Sequence, residues 1–67
     1  MPMPKEVLES LAEDITKAEA ALADLKDVVA DMRLSGMDTA VQDAEVADLS
    51  KKLRSLKMFY DLRKAKP

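Results

Sequence analysis

The chain contains no cysteine, no histidine and no tryptophan. Without cysteine there is no disulfide framework to hold a small fold, and the redox compartment is left open. Without cysteine or histidine, any metal would have to be held by oxygen ligands alone. Ser10, Ser35, Ser50 and Ser55 have no imidazole to activate them as nucleophiles. Glycine occurs once, at Gly36, which excludes a glycine-rich phosphate loop. No apolar run approaches the length of a membrane span. Residues 1–11 carry Lys5, Glu6 and Glu9 where a secretory signal would need an apolar core, so the expected location is the cytoplasm.

What remains is helical in character. Hydrophobic residues make up 48% of the chain and charged residues 36%, drawn mostly from Ala, Leu, Lys, Asp and Glu. That balance is the composition of long helices and coiled coils, and it is too apolar for disorder. At 67 residues the chain is a single small unit, 1–67, in a size range where one core contributes little net stability.

In the first half the apolar residues run Leu8, Leu11, Ile15, Ala18, Leu22, Leu25, Val29, Met32, with spacings that alternate three and four. This is a heptad seam through four repeats and predicts a helix over about 4–34. Pro4 suits the first helical position, where a missing N–H costs nothing. Gly36 sits where a helix would end in a left-handed residue, and residues 35–38 read as a turn. A second helix is expected over about 39–65, with Asp38 or Thr39 as its N-cap and Thr39 with Gln42 as a capping box. Its seam runs Val46, Leu49, Leu53, Leu56, Tyr60 and extrapolates back through Gln42 to Thr39. Carrying the first seam straight through Gly36 would place Asp43, Ser50 and Lys57 at core positions. The phase therefore resets at the turn, and the fold class is all-α: a two-helix antiparallel coiled-coil hairpin.

Facing residues are expected to have numbers that sum to 71. That register pairs Leu11 with Tyr60, Ile15 with Leu56, Ala18 with Leu53, Leu22 with Leu49 and Leu25 with Val46, apolar against apolar throughout. It also places Asp14 by Lys57, Glu19 by Lys52, Lys26 by Glu45 and Arg33 by Asp38. These are four pairs of opposite charge, each worth little alone.

Charge is uneven along the hairpin. Residues 24–48, the tip half, hold seven acidic and two basic side chains. Residues 5–23 hold five acidic and two basic, and residues 49–67 one acidic and seven basic, so the open end is net positive and the tip net negative. Two hairpins packed antiparallel would bring acidic tips onto basic open ends, the geometry of a C2 four-helix bundle. Apolar residues off the seam point the same way. Val7, Ala21 and Val28 share a flank of the first helix, and Met58, Phe59 and Leu62 form an apolar patch at the open end. These six are the candidate protein interface, and a dimer that buries them is the expected state. The plainer reading of the patch is that Met3 and the N-terminal tail fold over it.

No residue set points to catalysis. Asp24, Asp27 and Asp31 share a helical face but lack the loop geometry that calcium requires. Glu9, Glu13 and Asp14 lack an apolar enclosure to tune them as an acid–base pair. The expected function is therefore a non-enzymatic, self-associating interaction module without a cofactor, structural, adaptor or regulatory in role. The alternative is a nucleic-acid- or ribosome-binding hairpin that contacts phosphates through Lys51, Arg54, Arg63, Lys64 and Lys66. Against it stand the acidic balance of the chain and cations that surround the helix rather than line one face. Membrane-surface binding is not expected, because Asp61 and the core duty of Leu53 and Leu56 spoil a lipid-facing stripe.

Overall fold

The computed structural model describes residues 3–65, which form two helices, α1 (Lys5–Leu34) and α2 (Ala40–Ala65). At 1.5 Å of rise per residue, α1 is about 45 Å long and α2 about 39 Å. The molecule measures 52 × 15 × 12 Å, so the helices can only lie side by side, reversed at the turn. Its radius of gyration is 15.6 Å, whereas a compact chain of this length has about 11 Å. The hairpin is a rod with a high share of surface.

Pro4, expected as the first helical residue, stands one place earlier as the N-cap, with φ −56° and ψ 146°. Its carbonyl accepts the N–H groups of Val7 and Leu8, both at 3.1 Å. The proline side chain offers no cap, and Glu6 supplies the first-turn negative charge that the helix dipole favours.

The end of α1 is closed chiefly by the backbone. Gly36 takes φ +78°, the left-handed region, and the Met37 N–H donates to the Met32 carbonyl at 3.0 Å. The Gly36 N–H donates to the Arg33 carbonyl at 3.0 Å. These two bonds are the Schellman motif, which satisfies carbonyls that a helix end would otherwise leave open. Ser35 adds a hydroxyl bond to the Asp31 carbonyl at 2.9 Å. At the start of α2, the Asp38 carboxylate accepts the Ala40 N–H at 3.0 Å and so serves as the side-chain cap. Thr39 does not complete a box with Gln42. Its hydroxyl donates instead to Asp43 at 3.0 Å, and Asp43 also receives the Arg33 guanidinium.

The eight seam residues of α1 are all buried or half-buried, and in that helix only Ala12 joins them. In α2 the half-buried positions are Gln42, Val46, Ser50, Leu53, Leu56, Tyr60 and Arg63, preceded by Thr39, which is 7% exposed. Two departures from the expected seam stand out. Leu49 is 44% exposed, and Ser50 beside it is the better covered of the two. Arg63 occupies the seam position after Tyr60, with its Nε buried. Ile15 and Val29 are the only buried apolar residues among those described, at 7% and 3% exposed. The burial of Thr39 beside the last turn of α1, and of Leu8 and Leu11 at the other end, fits seam partners whose numbers sum to about 71.

The flanking charge pairs differ from those expected. Lys57 bonds Glu19 at 3.2 Å rather than Asp14, Arg33 pairs with Asp43 rather than Asp38, and Lys52 turns to Asp48 of its own helix at 3.0 Å. The reason is geometric. Let the heptad run from a to g, with Ile15, Leu22, Leu53 and Tyr60 at a. Position e then lies beside a, and g lies beside d. In an antiparallel pair e faces e and g faces g, so Asp14 at g and Lys57 at e lie on opposite sides of the hairpin. Glu19 and Lys57 are both e, as are Arg33 and Asp43. Helical side chains also lean toward the N-terminus of their own helix, so facing tips meet at a larger sum than the seam does.

Candidate protein interface

The pairing of like flanks gives the hairpin two unlike long faces. On the e face lie Glu19 with Lys57 and Arg33 with Asp43, ion pairs that link the helices. The side chains of these four residues are roughly half exposed, which places each link in the range of about 0–1 kcal/mol. An open groove on this face is lined by Leu22, Ser50, Leu53, Arg54, Lys57 and Met58, with Asp61 at its edge.

The g face is different. Val7, Asp14, Ala21 and Val28 recur every seventh residue on α1, and Glu45, Lys52 and Phe59 do so on α2. Val7, Asp14 and Phe59 line a shared groove with Met3, Glu6, Ser10 and Leu11. This groove, at about 440 Å³, is shallow and open, a strip of surface rather than an enclosure for a small molecule. Met3 reaches its edge without covering it, since Phe59 remains 46% exposed. Leu62 stands one turn beyond Phe59, and Leu49 tilts to the same side from the seam.

The six expected interface residues are thus exposed but not contiguous. Val7, Ala21, Val28 and Phe59 share the g face, with Leu62 bordering it. Met58 belongs to the e-face groove, because adjacent residues of a helix point about 100° apart. Met58 and Phe59 thus line different grooves, while Leu62, one turn on from both, lies between them on the helix. Residues not included in that reading extend the apolar surface. At the tip, Leu34 is 87% exposed, and Met37 and Val41 are also largely in solvent. Val41 and Leu62 are three heptads apart, a spacing visible in the sequence. Nothing in the seam spacing marks Leu49 as exposed.

The candidate nucleic-acid residues do not converge. Lys51 and Arg54 are exposed on the back of α2 and at the e-face groove, respectively. Lys64 places its Nζ 5.9 Å from the Tyr60 ring centroid, a cation–π distance. Arg63 is half-buried on the seam, and Lys66 lies outside the described residues.

Asp24, Asp27 and Asp31 are each exposed, and no group of three His, Cys, Asp or Glu that could hold a metal exists among the described residues. Glu9 faces Lys5 at 3.9 Å on the open surface. Among the described residues, no helix is long and apolar enough to cross a membrane. Compared with known proteins, the chain matches no family model, no curated protein and no solved structure.

Proposed function

We propose that the chain is a non-enzymatic helical hairpin of the cytoplasm that self-associates into a C2 four-helix bundle. In that form it acts as a protein–protein interaction module, structural, adaptor or regulatory. One observation carries this reading. Among the described apolar residues only Ile15 and Val29 are buried, and neither completely, while nine large ones, from Val7 to Leu62, stay exposed. A surface of 5255 Å² compares with about 4200 Å² for a compact chain of this mass. A second layer of helices would cover that surplus, and burying one such side chain fully contributes roughly 1.5–3 kcal/mol. Sedimentation equilibrium tests the reading. The expected result is a dimer at micromolar concentration, and a well-folded monomer at high micromolar concentration would overturn it.

A further inference from the structure

The dimer just proposed has two faces to choose from and two directions, and the structure distinguishes among them. Resting on that reading, we infer that the partner is a second copy of this chain seated on the g face, with tips reversed. Helix α1 then lies over α1 of the partner and α2 over α2, related by a two-fold axis across the middle of the hairpin.

The face follows from what each side carries. The e face already spends its charged groups on links between the helices, at Glu19–Lys57 and Arg33–Asp43. The g face carries exposed Val7, Ala21, Val28 and Phe59, with Leu49 and Leu62 at its margins. A strip 52 Å long and 15 Å wide offers roughly 780 Å², close to the about 800 Å² per partner of a stable interface.

The direction follows from charge. Residues 40–48 carry three acidic side chains and no basic one, whereas residues 49–65 carry six basic and one acidic. Reversing one hairpin on the other lays residues 40–48 over residues 57–65, which carry three basic side chains and one acidic, twice over, with Lys51, Lys52 and Arg54 meeting their own copies only at the middle. The other two-fold arrangement, with tips together, would set two strongly acidic tips side by side and two net-positive ends likewise. Reversal also brings the apolar tip over the apolar open end, because Val41 sits in the first turn of α2 and Leu62 in its last. The midpoint of α1 falls between Glu19 and Ala20, so Ala21 of the g face lies beside its own symmetry mate. Lys52, at the middle of α2 on the same face, does so too.

The absence of native cysteine makes the test direct. The variants Ala21→Cys, Lys52→Cys and Thr16→Cys, the last on the other side of α1, are each treated with a short bis-maleimide after their dimeric state has been measured by sedimentation. The expected outcome is that Ala21→Cys and Lys52→Cys each convert mostly to a species of twice the mass, while Thr16→Cys does not. A dimer in which Thr16→Cys cross-links, or in which none of the three does either alone or mixed in pairs, overturns the face but leaves self-association standing. Cross-linking only when Ala21→Cys and Lys52→Cys are mixed means that α1 lies over α2, and overturns the direction. A monomer in sedimentation removes the proposed function itself and this inference with it.

Discussion

Replacing Gly36 by alanine isolates one physical term. A side chain built at this position meets no atom within 4 Å, so sterics with the rest of the fold contribute nothing. What remains is the backbone at φ +78°, where an L-residue with a β-carbon is disfavoured by about 1–2 kcal/mol. The Schellman bonds at Met37 and Gly36 hold that conformation, so the chain cannot relax it without giving them up. For a chain of this size each 1 kcal/mol lowers the melting temperature by about 4–8 °C, so the expected loss is about 5–15 °C. Gly36→Asn should lose less, because asparagine enters the left-handed region more readily. Circular dichroism melts at one fixed protein concentration measure this, since association would itself raise the transition. Small-angle scattering should still report a rod near the present 15.6 Å radius of gyration. An alanine variant that melts at or above the wild type refutes the claim that this glycine sets the reversal. One that straightens into a single helix of about 90 Å would mean that the seam cannot keep the hairpin closed without this turn.

Other perturbations bear on separate parts of the molecule. Leu22→Asp places a charge in the seam and should abolish the cooperative melt, while Asp27→Lys on the exposed back should shift it hardly at all; equal behaviour would mean the seam is misassigned. Asp43→Ala removes the partner of both Arg33 and the buried Thr39 hydroxyl, and the lost hydroxyl bond dominates at about 1–3 kcal/mol. Lys57→Ala removes only an exposed pair, worth about 0–1 kcal/mol, so denaturant titration should rank Asp43→Ala clearly the worse. A labelled RNA or DNA should show no steeply salt-dependent binding by fluorescence anisotropy. Tight binding abolished by charge reversal at Lys51, Arg54 and Lys64 would favour the nucleic-acid reading instead.

Much of the hairpin is local, and that part is legible along the chain. The seam of α1 needs only the three-and-four spacing of Leu8 through Met32. The turn needs only a residue that tolerates positive φ, and Gly36 is the sole glycine. Helix bounds and the turn follow from groups within four or five residues of one another, which is why they can be read without a fold. The candidate interface residues are legible as apolar positions off the seam, because a single pair of helices buries one stripe each.

What the tertiary structure alone decided is which flanking residues meet and which positions the opposite helix leaves open. A heptad places Asp14 and Glu19 beside the same seam, yet antiparallel pairing sends one to the g face with Phe59 and the other to the e face with Lys57. The lean of each side chain toward its own N-terminus then moves the charge pairs beyond the register of the seam. The same pairing leaves Leu49 exposed and draws Arg63 onto the seam, outcomes that depend on what the opposite helix presents at that level. Periodicity determines that a helix has a stripe to bury. Only the partner across the stripe determines which flanking residues meet and which positions stay open, because pairing is a relation between two helices and not a property of either one.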